Sequence, residues 1–189
     1  MASTTSSLVR RMSLMEFLAI DEDETGPKCE LEYGELIELM RPTFEHNELI
    51  LSLSGILLPH IRTNNLGRLS QDIIVVLDED RDLAYAPDLV FVATEHLHRI
   101  REGRVYGAPD LVVEVLSPST ASRDHLTKLD AYLKAGVPWY WIVDTTGPGI
   151  EEYSATDGGY LRTATVESND IFQPNIFPDL NIELAALIS

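Results

Sequence analysis

Apolar positions along this chain recur with two rhythms, a period near 3.6 that marks helices and a period of 2 that marks strands. Residues 12–20, MSLMEFLAI, carry a short helical pattern, and the acidic run DEDETGP that follows reads as a solvated turn ending at Pro27. In CELEYGELIELM, two alternating runs flank Tyr33-Gly34-Glu35, which predicts a hairpin with Gly34 free to take a positive φ and a structural role. Thr43 is placed to cap a helix through FEHNELILSLSGILLPHI, in which His46, Ile50, Leu53 and Leu57 share a face and Pro59 should kink or end the helix. RLSQDIIVVL and LAYAPDLVFVA read as two strands joined across the polar DEDRD, and TEHLHRIREG as a short helical or irregular piece.

The richest stretch is PDLVVEVLSPSTASRDHLTKLDAYLKAGVPWYWIVD, with the order strand, helix, strand. Its first strand is almost continuously apolar, as expected where both faces are covered, and the helix should stop at Gly136 with Pro138 just beyond. Such a unit makes a right-handed parallel crossover. A weaker alternating segment around IEEYSATDGGYLRTATV contains a Gly158-Gly159 turn, and FPDLNIELAALI closes the chain. With 189 residues, 44% hydrophobic, the pattern fits one α/β domain over residues 1–189, the first eleven expected to be flexible.

Composition narrows the function. No apolar run approaches the ~20 residues that span a bilayer, and Glu16 interrupts the N-terminal pattern, so neither a membrane span nor a secretory signal is expected and a cytoplasmic location follows. Cys29 is the only cysteine, which excludes an intrachain disulfide and a cysteine zinc cluster. The formal net charge of −17 argues against tight, unaided binding of DNA, which draws affinity from Lys and Arg; the 14 basic residues would have to gather near one cleft.

Glu114 is the sharpest chemical signal, because a carboxylate inside LVVEVL must be compensated by a metal ion or a lysine. Alternation puts Asp110, Val112, Glu114 and Leu116 on one face. A structural ion pair with Lys128 or Arg123 is the competing explanation. Asp88 follows Pro87 at a strand entrance, and the same pair recurs at Pro109-Asp110, leaving open which aspartate faces a site. On the following helix Asp124, Lys128 and Tyr132 stack along one flank while Asp130 and Lys134 pair on the other, so Lys128 can reach back toward Glu114 or simply pair with Asp124. Glu45 and His46 on the earlier helix are accessory candidates, a hydrogen-bonded core role for His46 being the plainer one. Trp139-Tyr140-Trp141 reads as strand packing rather than base stacking.

The PDLVVEVLSPST…KLDAYLKAGVPWYWIVD stretch resembles the Uma-two restriction endonuclease family, a branch of the PD-(D/E)XK nuclease superfamily. Similarity extends to MSLMEFLAI, ELEYGELIEL, EHNELI, APDLVFV and FPDLNIEL. The resemblance implies a mixed central sheet flanked by helices, with an extra N-terminal hairpin. It also implies hydrolysis of DNA phosphodiesters by water activated on a divalent metal, Mg2+ or Mn2+, held by Asp88 and Glu114. The lysine expected two residues after the glutamate is replaced by Leu116, and the resemblance transfers its role to Lys128. Trp139 stands where members commonly carry glutamate. A homodimer would suit double-strand cutting. The alternative is a non-catalytic interaction module that keeps the nuclease fold, and a third possibility is a purely structural Asp-Glu-Lys network.

Overall fold

A computed structural model describes residues 11–21, 28–116, 127–145, 149–167 and 170–187; the acidic run after Asp21 and the SPST loop lie outside these. Helix α1 spans Leu14–Asp21. Ser13 opens it with a reciprocal cap, its Oγ accepting from the Glu16 amide at 3.3 Å while Glu16 Oε2 accepts from the Ser13 amide at 2.9 Å. Leu14 and Phe17 on its inner face bury against Leu31, Ile74, Val76 and Ala84. Strands β1 (Cys29–Glu32) and β2 (Glu35–Glu38) form the expected hairpin. Its turn has φ of 50° at Tyr33 and 84° at Gly34, the left-handed pair that suits the twist of a two-residue hairpin.

Helix α2 runs over Phe44–Thr63, with Thr43 Oγ1 accepting from the His46 amide at 3.3 Å. Leu49, Ile50, Leu53, Leu57 and Ile61 form its buried stripe. Pro59 does not end the helix, one of the two outcomes expected of it, and lies within its last turns on the exposed side. Pro59 and Gly55, the residue whose carbonyl a fifty-ninth amide would have met, are both exposed. Water can therefore satisfy the carbonyl, and the solvent side of a helix tolerates its tilt.

The two apolar runs expected as single strands each divide. The first becomes β3 (Gly67–Gln71) and β4 (Val75–Asp78), broken at Asp72 with φ of 51°. The second becomes β5 (Leu83–Tyr85) and β6 (Leu89–Ala93), broken at Ala86-Pro87. A six-residue 3-10 turn, Thr94–Arg99, leads to the small hairpin β7 (Ile100–Arg101) and β8 (Arg104–Tyr106). Strand β9 (Leu111–Leu116), helix α3 (Leu129–Ala135) and strand β10 (Trp139–Asp144) follow, α3 ending at Gly136 with φ of 86°. The C-terminal third supplies the hairpin β11 (Gly149–Thr156) and β12 (Gly159–Val166), then β13 (Ile171–Phe172) and β14 (Ile182–Glu183).

These strands build two six-stranded sheets, ordered β2-β1-β5-β4-β8-β7 and β12-β11-β10-β9-β6-β3, with β13-β14 as a separate pair. In the second sheet β9 runs parallel to β10, Glu114 beside Ile142, and antiparallel to β6. One side of that sheet packs its Leu89, Phe91, Val113, Val115 and Trp141 against α2. The other packs Val90, Val92, Val112, Leu116 and Tyr140 against α3 and the first sheet. Trp141 and Tyr140 thus serve opposite cores, as strand alternation predicts. The carboxylate of Glu152, fully buried, accepts from Trp141 Nε1 at 3.1 Å, Thr163 Oγ1 at 2.8 Å and Asn175 Nδ2 at 2.6 Å, fastening the C-terminal segment to the sheet.

Candidate active site

Every residue of β9 is buried, and Glu114 shares its face with Val112 and Leu116, toward α3. Its Oε1 accepts from Lys128 Nζ at 2.8 Å and from the Tyr132 hydroxyl at 2.7 Å. Lys128 stands at the N-terminus of α3 with Tyr132 one turn along, so the helix flank singled out in the sequence is the one that meets the strand. Asp124 lies outside the described residues. Burial pushes the Tyr132 phenol well up, with the charges of Glu114 and Glu30 adding to it, so that this hydroxyl stays a donor. Lys128 and Glu114 are each 4% exposed, and the ammonium also lies 5.4 Å over the Tyr85 ring.

Glu30, on β1, completes the cluster and was not among the residues expected there. Its Oε1 is 2.9 Å from Lys128 Nζ and accepts from the Ala86 amide at 3.0 Å. The hairpin read as purely structural therefore sends a fully buried carboxylate to the site. Alternation in CELEY assigns Glu30 to the polar face of a short strand, and only the tertiary arrival of Lys128 turns that face inward. The demand of an otherwise unmatched lysine beside an apolar helix stripe was the one signal available.

Asp88 lies one residue before β6. The last residues paired between β6 and β9 are Leu89 and Val113, so Asp88 and Glu114 are the next positions on neighbouring strands. The Asp88 carboxylate accepts from the Val115 amide at 2.7 Å and lies 3.2 Å from His46 Nε2. Burial disfavours a charged His46, yet the hydrogen bond and charge of Asp88 outweigh it and the imidazole pKa is raised. Glu45 is exposed in the first turn of α2, its pKa lowered by a backbone hydrogen bond and by Thr43, and belongs to the helix cap.

The second Pro-Asp pair is at the other end of the same two strands. Asp110 Oδ2 accepts from the Ala93 amide at 2.7 Å, and Oδ1 lies 2.8 Å from His96 Nδ1. Each aspartate thus enters one strand and caps the far end of its antiparallel neighbour, each with a histidine at its side. Asp88 is the one that shares an end with Glu114.

Among the described residues, Glu30 and Glu114 share the ammonium of Lys128 in a region shielded from water. No group of three or more His, Cys, Asp or Glu among the described residues is arranged to hold a metal ion. The carboxylate of Asp88 is taken up by His46 of α2 and the Val115 amide, that of Glu114 by Lys128 and Tyr132 at α3.

The architecture defines an α/β protein of the restriction endonuclease-like fold. The chain belongs to the Uma2 family, described as "Putative restriction endonuclease", whose profile matches residues 14–185. Among solved structures, it is similar to a "putative nuclease belonging to DUF820" from Anabaena variabilis, at 19% identity and a TM-score of 0.74, covering 93% of this chain and 97% of that one. No curated protein matches.

Proposed function

We propose that this protein is a divalent-metal-dependent endonuclease that hydrolyses DNA phosphodiesters, with Asp88 and Glu114 as metal-binding carboxylates and Lys128 as the catalytic cation. The observation that carries the reading is the meeting of Glu114 with Lys128 next to the strand position of Asp88. Family membership and fold agree with a nuclease. Magnesium or manganese, when bound, supplies an acidified water and neutralises charge on the phosphate. The Val115 amide and His46 fix the Asp88 carboxylate, and Tyr132 and Lys128 fix that of Glu114, so both are oriented before substrate arrives. Lys128, between Glu30 and Glu114, would place positive potential where the attacked phosphate gains negative charge.

Purified protein is expected to nick supercoiled plasmid with magnesium or manganese and to stop with chelator. Asp88→Asn, Glu114→Gln and Lys128→Ala should each lower the rate at least a hundredfold. Undiminished cutting by these variants would reject the site. A second reading, a module that keeps the fold without catalysis, is favoured by the closed bonding of Lys128 between two buried acids. It predicts no metal uptake by calorimetry and partner binding unaffected by Glu114→Gln.

A further inference from the structure

We infer that the outward face of α2 is the contact between two copies of this chain, packed antiparallel about a two-fold axis at Gly55. The pairing asks nothing of catalysis and stands whether or not the chain cuts DNA.

The face itself is the first argument. A surface helix normally turns apolar groups to the core and charge to water. Helix α2 buries Leu49, Ile50, Leu53, Leu57 and Ile61, yet from Leu49 to Ile61 it carries no Asp, Glu, Lys or Arg on any side. Phe44, Glu48, Leu51, Gly55, Pro59 and Arg62 recur at helical spacing on the side away from that buried stripe. There Phe44 is 77% exposed and Leu51 65%, Gly55 and Pro59 stand in solvent, and Met40, just before the helix, is 70% exposed. In a chain with 24% charged residues and a net charge of −17, this is a surface on which two copies can meet without setting acid against acid.

Gly55 is the second. A glycine inside a helix costs stability relative to alanine, and no neighbouring atom lies within 4 Å of where its Cβ would stand, so the single chain has no steric need of it. Two helices crossing at that position do need it. Bare backbone lets the axes approach to the ~8 Å end of the range for packed helices, with Leu51 of each copy set against Pro59 of the other.

Charge is the third, and it fixes the direction. The acids of α2, Glu45 and Glu48, lie in its first turns and Arg62 in its last. Glu48 stands seven residues before Gly55 and Arg62 seven after it, so an antiparallel pair centred on Gly55 opposes Glu48 to Arg62 twice over, and opposes the two helix dipoles as well. A parallel pair would stack acid on acid. The two-fold arrangement closes on itself and stops at the dimer. A strip ~30 Å long falls short of the ~800 Å² per partner of a standing interface, so the pair forms reversibly as concentration rises.

Sedimentation velocity over a concentration series is the test. Wild type should pass from monomer toward dimer mass as concentration rises. Gly55→Gln should weaken association at least tenfold and leave the melting temperature equal or higher, since a better helix former enters open space. Glu48→Arg and Arg62→Glu should each weaken association several-fold, and the double variant should recover most of it. Within one chain the two positions are ~21 Å apart and both changes oppose the helix dipole, so a role confined to the monomer would leave the double variant weakest of all. A wild type that stays monomeric at every concentration overturns the pair, as does a dimer indifferent to Gly55→Gln or a double variant weaker than either single. Binding of monomeric wild type to phosphatidylcholine vesicles, lost in Leu51→Glu, would give the face to a lipid surface and overturns the pair as well.

Discussion

Lys128 is the residue on which the local energetics turn. Its ammonium separates two carboxylates that are almost wholly withdrawn from water. Removing one partner of a buried ionic cluster costs more than the cluster was worth, because the remaining charges stay behind without their solvent. Lys128→Met should therefore destabilise the fold by ~3–5 kcal/mol in urea unfolding. Glu30→Gln in the same chain should restore part of that loss, a coupling that independent sites would not show. Additive effects of the two substitutions would refute the shared cluster. His46 carries the pH dependence. Its folded-state pKa is raised by Asp88, so the pairing contributes stability in full below ~6.5 and loses it as pH climbs through the higher folded value. The difference in melting temperature between wild type and His46→Gln should be largest near pH ~6 and shrink toward pH ~9. A difference that stays flat, or grows, with rising pH would contradict the assignment.

At the scale of the element, β6 and β9 form a pair locked at both ends by their own entering aspartates. The two locks look alike in sequence, and the distinction between them is positional: one end carries Glu114, the other does not. Asp110→Ala should cost ~1–3 kcal/mol, the usual consequence of leaving a buried amide without its acceptor, while plasmid cutting per folded molecule is retained. Asp88→Asn should do the reverse, with little loss of stability and loss of cutting. Swapped phenotypes would mean the site lies at the other end. Periodicity made most elements legible: the hairpin at Tyr33-Gly34, the Thr43 cap, the parallel β9 and β10 and the Gly136 stop all follow from local rules. What it concealed was that two continuous apolar runs each serve two sheets. The breaks fall at Asp72, which adopts a left-handed φ, and at Ala86-Pro87, where a missing amide ends the ladder. Neither interrupts the apolar pattern for long enough to be read as a loop. Close approach at β3 gives a further check. A methyl group on Gly67 would stand 2.1 Å from the Val92 carbonyl oxygen and 2.8 Å from Ala93 Cα, so Gly67→Ala should lose ~1–3 kcal/mol by overpacking, measured in the same urea series.

For the molecule as a whole, the first sheet is more than an added flap, because it delivers Glu30 to a cluster otherwise built from the β9–α3 crossover. Glu30 could not be read from its own neighbourhood, since a strand of four residues beside a turn looks the same whether its polar face meets water or a lysine from a hundred residues away. Glu114 and Lys128 were legible because a charge in an apolar run is costly wherever it folds. The same reasoning extends to the net charge. An assembly at −17 repels a polyanion at long range, and the acid cluster concentrates that repulsion where DNA would have to come closest. Monovalent salt weakens DNA binding by competing for phosphate, but a divalent ion seated between Asp88 and Glu114 would turn a repulsive spot into an attractive one. Affinity for a duplex, measured by anisotropy at constant ionic strength, should thus rise at least tenfold when calcium, a hard cation that takes the same oxygen donors, replaces monovalent salt. Asp88→Asn should abolish most of the gain. If calcium strengthens the Asp88→Asn variant as much as the wild type, the ion is acting by general screening and the two carboxylates do not bind it.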